Sequence, residues 1–322
     1  MPRSLILDTD IDTDCDDTGA LAVLHHLARL GEIEISAVIC SIPKRVCALC
    51  VDAINSVYDR SDVPIGLVRI DAWQTASRFS VYQEMLARLA GENKQLYNEV
   101  IGRDWEADHP CPEYPDALRL YRQALVDAED QSVTICAVGT LTALQQLLDS
   151  PPDDISVLSG RELITAKVER LVTMALGIYP RGHDGFNWRM DKIGAAAVVN
   201  RWPGPVTVSE LGGDVLVGPR FVQAAPATHP VRRAFEIWLN NWGRPSGARS
   251  SWDQLAVIRA VRGCGEIFAE HGGLGLRFDA ETGEHEWSPD HEGHERSWIE
   301  SLVSDAVLAQ IVEDLMIGSL SH

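Results

Sequence analysis

Six carboxylates fall within ten residues in the stretch Asp8-Thr9-Asp10-Ile11-Asp12-Thr13-Asp14-Cys15-Asp16-Asp17, directly after the apolar run Leu5-Ile6-Leu7 and before a helical pattern from Ala20 to Leu30. Carboxylates this close cannot all stay ionised unless a cation or hydrogen-bond donors compensate them, and a site offering only oxygen selects a hard ion such as Ca²⁺ or Mg²⁺. A buried metal site is therefore the expectation. The competing reading, a solvated acidic loop, fits less well, because charge runs that face water seldom begin immediately after a strand core. An EF-hand is excluded: its sixth and twelfth positions need Gly and Glu, and counted from Asp8 they hold Thr13 and Gly19, from Asp10 Cys15 and Leu21.

Three further stretches carry polar groups where chemistry could be done. Gly139-Thr140-Leu141-Thr142 is a strand-to-helix junction after the apolar run Val133 to Val138. A backbone carbonyl there is a natural neutral ligand for Ca²⁺, and the C-terminal edge of a parallel sheet would bring it to the acidic loop. Asp253, in Ser251-Trp252-Asp253-Gln254-Leu255-Ala256, opens a helix after a glycine-rich loop and on its own reads as an N-cap. Asn187, in Phe186-Asn187-Trp188-Arg189-Met190-Asp191, reads on its own as a turn or cap residue.

The elements that must position these residues alternate along the chain. Leu5 to Leu7 reads as a strand, followed by a helix to about Leu30, a strand Ile33 to Cys40, a helix around Val46 to Tyr58 and a strand Ile65 to Val68. From about Asp71 to Asp116 the pattern loosens into loop and helix, the kind of excursion that lies over a site. A helix Ala117 to Ala128 and a strand Val133 to Val138 follow, and Val168 to Met174 and Val206 to Val208 extend the sheet. Then come helices Val231 to Leu239 and Gln254 to Arg262, a hairpin at the sheet margin over Gly272 to Trp287, and a closing helix Ser301 to Leu315. The alternation predicts an α/β fold, a three-layer sandwich around a mostly parallel sheet, and no repeat or linker divides residues 1–322 into more than one domain.

Composition limits the partners. The chain has 322 residues, 45% hydrophobic and 23% charged, ample for a large core. Lys plus Arg of 28 against Asp plus Glu of 47 gives a net charge of −19, so a nucleic-acid backbone is repelled and polymeric nucleic acid is not expected as a partner. No run of about 18 apolar residues occurs, so no membrane span is expected. The start Met1-Pro2-Arg3 leads into a strand instead of a signal peptide, which predicts a cytoplasmic protein. The seven cysteines, Cys15, Cys40, Cys47, Cys50, Cys111, Cys136 and Cys264, are odd in number and mostly in apolar surroundings. They read as reduced core thiols, with Cys47 and Cys50 as helix packing and not a redox or zinc pair.

The motifs resemble those of the nucleoside hydrolase family, of the inosine-uridine-preferring N-ribohydrolase-like kind. The acidic stretch is similar to the longer form of that family's amino-terminal signature, Asp-Thr-Asp-x-Gly-x-Asp-x-Asp-Asp, with Asp12 in place of Gly. Gly139 to Thr142 is similar to its Gly-x-Leu-Thr, Asp253 to Ala256 to its late Asp-x-x-Ala, and Phe186-Asn187 to its Glu-Phe-Asn, with Gly185 in place of Glu. A haloacid-dehalogenase-type phosphatase would also open on a strand and Asp-x-Asp, but Asp12 or Asp14 stands where that pattern has Thr or Val. The resemblance runs from Leu5 to at least Trp287 and implies hydrolysis of the N-glycosidic bond of a ribonucleoside or related N-riboside, releasing base and ribose. By resemblance, Ca²⁺ would be held by Asp10, Asp17, Asp253 and the carbonyl of Thr142, with Asp10 also taking a proton from the attacking water. Asp16 would hold the ribose and Asn187 would hold it from the other side, as part of the catalytic set. Trp252 stands where many members have a proton-donating His and would instead stack on the base. The implied partner is a small-molecule nucleoside, and such proteins often form homodimers or homotetramers.

Asp12, Gly185 and Trp252 all depart from the family pattern, which motivates a second reading, a nucleoside-binding member of the fold impaired in catalysis. The acidic loop alone would also permit a metal-dependent phosphohydrolase. No residue is assigned to help the base leave, His183 and Asp184 being the nearest candidates. Gly185 removes an acceptor expected near the sugar's 5′ end and leaves Arg181, His183 and Arg189 as donors for a 5′-phosphate or a 5′-altered nucleoside.

Overall fold

Side chains along a strand point alternately to its two faces, and in the first strand Leu5 and Leu7 enter one hydrophobic core while Ile6 enters another. A sheet with an apolar cluster on each face must be covered twice. The computed structural model, which describes residues 3–71, 73–109, 113–175, 177, 179–244, 247–290 and 295–321, has that form.

In chain order the elements are β1 (Ser4–Thr9), α1 (Asp16–Arg29), β2 (Glu34–Cys40), α2 (Arg45–Val57), β3 (Ile65–Leu67), α3 (Ser80–Gly91), α4 (Tyr97–Asp108), α5 (Ala117–Asp127), β4 (Val133–Ala137), α6 (Thr142–Asp149), α7 (Gly160–Lys167) and β5 (Val168–Met174). They continue with β6 (Arg181–His183), α8 (Asn187–Met190), α9 (Lys192–Arg201), β7 (Val206–Ser209), β8 (Leu216–Val217), α10 (Pro219–Ala224), α11 (Pro230–Asn241), β9 (Arg249–Ser250), α12 (Trp252–Arg262), β10 (Phe268–Phe278), β11 (Glu284–Ser288), β12 (Arg296–Ser301) and α13 (Asp305–Gly318). The large sheet runs β3-β2-β1-β4-β5-β7-β12-β10-β11-β6. Neighbours from β3 to β12 are parallel, and β10, β11 and β6 are joined antiparallel at one margin. Helices α1, α2, α12 and α13 cover the face of Leu5 and Leu7, and α5, α6, α7 and α9 the face of Ile6. The three-layer α/β reading holds.

β1 has β2 on one side and β4 on the other. The chain builds outward through β2 and β3, then returns to the opposite flank of β1, and at such a switch point a crevice opens beyond the carboxyl ends of the strands.

Several details differ from the sequence-based expectation. The closing helix begins at Asp305, because Arg296–Ser301 is a strand inserted parallel to β7. Helices α7 and α9 were not anticipated, although α7 carries a capping box in which Ser159 and Glu162 satisfy each other's backbone N–H. The margin is formed by β6, which pairs with the expected hairpin. Cys15, Cys40, Cys47, Cys50 and Cys136 are buried free thiols, with Cys47 and Cys50 packed on α2, and Cys264 is half-buried. Cys111 lies outside the described residues, as do Pro245 and Ser246 of the glycine-rich loop. No helix among the described residues is long and apolar enough to cross a membrane.

Candidate active site

β1 ends at Thr9 and β4 at Ala137, so Asp10 and Val138 leave adjacent strands side by side at the switch point. Gly139 permits this approach. A Cβ there would lie 2.5 Å from the Asp10 backbone nitrogen and 2.8 Å from its Cβ, closer than real Cβ atoms come. Two helix N-termini meet the same place. Helices α1 and α12 pack together, with Gly19 leaving room for the Gln254 side chain, which brings Asp16 and Asp17 to Asp253. The partial positive charge of a helix N-terminus favours carboxylates, and the Asp16 carboxylate accepts the backbone N–H of Asp253.

These ends enclose a cavity of about 230 Å³. Asp10, Asp16, Asp17 and Asp253 line it, and all four are buried. Oxygens of Asp16, Asp17 and Asp253 lie within 4.8 Å of one another. None of the four makes a salt bridge among the described residues, and the one side-chain donor to Asp17 there is the Thr9 hydroxyl. Burial, and after it the charge of Asp12, pushes Asp10 up to about 8. Burial first and neighbouring carboxylates second hold Asp16, Asp17 and Asp253 well above the usual carboxylate range. Such a set, all oxygen and short of positive charge, fits a hard divalent cation.

The other carboxylates of the loop each have a side-chain partner in the protein. Asp8 turns to the opposite face of the sheet, where Tyr121 of α5 donates to it at 2.7 Å, and burial pushes it up to about 8. Asp12, the residue standing for the family's Gly, does not line the cavity. It is buried against Lys44 (2.7 Å), Asn98 (2.8 Å) and the Tyr82 hydroxyl. Its charge thus has partners of its own, yet it still acts on Asp10, where it is the largest effect after burial. Asp14 lines the cavity and is paired with Arg249, whose Nε donates at 2.8 Å.

Of the residues expected from sequence, Asn187 and the half-buried Trp252 also line the cavity. Thr142 does not, and this is a correction. It is the first residue of α6, so its carbonyl is committed to the helix, and its hydroxyl donates to Asp191 at 2.6 Å. Val138 lines the cavity instead, and its carbonyl accepts from Asn187 Nδ2 at 2.7 Å. Asp184 is buried and caps α8, accepting the backbone N–H groups of Phe186 and Trp188 at 2.9 and 2.8 Å. Arg181 pairs with Glu286, and His183 lies 3.6 Å from Glu284, both on the exposed margin strand. Neither they nor Arg189 line the cavity, whereas Gly185 does. Arg249 is the functional candidate that sequence reasoning missed. Its partner lies near the other end of the chain, and no local spacing signals the contact.

No protein-family model and no curated protein sequence matches the chain. Solved structures do. A plant nucleoside hydrolase aligns at 12% identity over 98% of this chain and 99% of its own, with a TM-score of 0.68. The inosine-uridine preferring nucleoside hydrolase from Bacillus anthracis aligns at 12% identity over 99% of this chain and all (100%) of its own, at 0.62. The type III effector protein XopQ, complexed with adenosine diphosphate ribose, aligns at 13% identity over 100% of this chain and 94% of its own, at 0.70. At these identities the likeness is one of fold.

Proposed function

We propose, with the nucleoside hydrolase fold as premise, that this chain hydrolyses the N-glycosidic bond of a ribonucleoside or related N-riboside, with Ca²⁺ held by Asp10, Asp17 and Asp253. The observation that carries the reading is the convergence, at the switch point, of the buried carboxylates of Asp16, Asp17 and Asp253, none of them in a salt bridge among the described residues, in a cavity also lined by Asp10, Asn187 and Trp252. The Val138 carbonyl takes the place that the motif alone gave to Thr142.

A ribosyl C–N bond breaks through an oxocarbenium-like state, so the site needs an activated water, a grip on the sugar and a means of stabilising the base. A bound divalent ion would supply charge neutralisation and lower the pKa of water. Asp10 takes one proton from the attacking water as its oxygen bonds to C1′ and the C1′–N electron pair leaves with the base. Asp16 and Asn187 hold the ribose hydroxyls. Trp252 covers the base and cannot protonate it as a His would. The pairing of Asp12 with Lys44 keeps the Asp12 carboxylate out of the cavity, which supports an active over an impaired member, although its charge still acts on Asp10.

A panel of nucleosides and nucleotides with added Ca²⁺, scored for free reducing sugar and for phosphate, tests this. Reducing sugar is the expected product. Nucleoside binding without sugar release would give the impaired reading, and phosphate release from a nucleotide the phosphohydrolase reading. The panel includes a nucleoside 5′-monophosphate, because Gly185 lines the cavity where the family motif has Glu.

A further inference from the structure

A base leaving C1′ takes the glycosidic electron pair with it, so its growing negative charge must be met by a proton or by a fixed positive charge. Among the described residues lining the cavity there is no His, Lys, Tyr or Cys. The two candidates named from sequence are engaged elsewhere, His183 near Glu284 and Asp184 as a helix cap. The cation left at the cavity is Arg249. We infer that Arg249 stabilises the departing base as a fixed charge beside Trp252; this rests on the N-glycosidic reading above and adds to it the group that lets the base go.

The geometry supports that role in three ways. Asp14 accepts from Arg249 Nε at 2.8 Å and from Nη2, which fixes the guanidinium plane along one edge. Nη1 donates to no acceptor among the described residues, so part of the fork is left for a ligand. The guanidinium carbon lies 4.3 Å from the Trp238 ring centroid and 4.5 Å from that of Trp252, clamped between two indoles. Arg249 covers one face of Trp252, so a base stacked on the other face would leave with a positive charge one ring away, on a side chain only 18% exposed. Charge that is preorganised and shielded from water acts more strongly on a transition state than the same charge in solvent. A guanidinium keeps its proton throughout the working range. The base therefore departs as an anion and takes its proton from solvent after release.

The test compares a nucleoside with the O-glycoside 4-nitrophenyl riboside, whose phenolate leaves readily unaided, both with Ca²⁺. In Arg249→Met, kcat/KM for the nucleoside should fall about a hundredfold more than for 4-nitrophenyl riboside, the scale of removing one electrostatic donor. The double variant Arg249→Met/Asp14→Asn removes the carboxylate that the single change leaves unpaired, and it should show the same differential loss. Equal losses on the two substrates, or recovery of nucleoside hydrolysis in the double variant, would mean that Arg249 only balances Asp14, and would overturn the assignment. If the unaltered protein releases ribose from neither substrate, the N-glycosidic reading falls and the assignment with it. Ribose release from both without differential loss sinks the assignment alone.

Discussion

Asp12 and Asp16 belong to one acidic stretch and are buried to the same degree, at 1% and 3% exposure, yet one has a salt bridge of its own and the other, among the described residues, does not. Asp12 meets an ammonium, an amide and a phenol, supplied by Lys44, Asn98 and Tyr82. Asp16 meets Asp17 and Asp253, accepts a backbone N–H from Asp253, and has as its cation among the described residues only Arg249, whose side chain is paired with Asp14. A buried carboxylate with a full set of donors is finished as a structural part, and removing one partner leaves the other exposed to the whole desolvation cost. A cluster whose members make no salt bridge carries that cost as raised pKa values, unless a bound cation offsets it. Burial alone does not separate structural from functional acids in this loop. The source of the compensating charge does.

The largest effect that could break this comparison is at Asp10. Asp10→Ala should lower nucleoside turnover about 10³-fold, the range of a lost general base, and weaken Ca²⁺ binding measured by calorimetry. Turnover at the original level would remove Asp10 from the mechanism. Next comes the satisfied limb. Asp12→Ala strands Lys44, whose side chain is 14% exposed, and should cost about 3 kcal/mol in urea denaturation while Ca²⁺ is still bound. A stable variant that had lost its ion would show that the two limbs are not separate.

His25 checks burial by itself, away from the cavity. It stacks on Tyr58 at 4.7 Å and lies 2.9 Å from Asn55 Oδ1. Burial depresses its pKa to about 4, against 6.5 for a free imidazole. The folded state therefore resists protonation, and the stability linked to His25 is present above pH 6.5 and is lost as pH falls towards 4. The cavity carboxylates, raised by burial, run the other way over that range, so a difference measurement is needed. Between pH 6.5 and 4, the stability gap between the unaltered protein and His25→Phe, both in chelator, should narrow by on the order of 2 kcal/mol. A constant gap would refute the buried neutral imidazole. The smallest effect has the opposite sign. Asp253→Asn removes a carboxylate from an uncompensated cluster and should raise the stability of the ion-free chain by about 1 kcal/mol, while abolishing the gain in melting temperature on adding Ca²⁺. A destabilised ion-free variant would place Asp253 with the structural acids.

What the sequence disclosed was local. The strand, acidic stretch and helix from Ser4 to Arg29 follow one another directly, and the stretches around the end of β4 and the start of α12 are each short and self-contained, which is why residues that line the cavity could be picked out and the parallel sheet inferred. Thr142 was misread because a motif names a residue without saying where the helix begins. Four residues after Val138 the carbonyls already belong to α6. The fate of Asp12 was hidden because its donors come from the loop before α2, from α3 and from α4. Arg249 was hidden for the same reason at greater separation, across almost the whole chain from Asp14. The helix at Gly160–Lys167 was legible in principle from Ser159 and Glu162.

The packing of α1 against α12 has a further consequence, for folding kinetics. The carboxylate cluster joins the start of the chain to its last quarter, so its closure entropy must be met before any ligand binding offsets it, and contacts of such sequence separation form slowly. On the proposed reading, a divalent ion held by Asp17 and Asp253 would bind only once α12 has docked on α1. A ligand that recognises only the completed chain leaves the folding rate nearly unchanged and slows unfolding. Calcium would thus act on this protein as a latch, lengthening the lifetime of the native state without hastening its arrival.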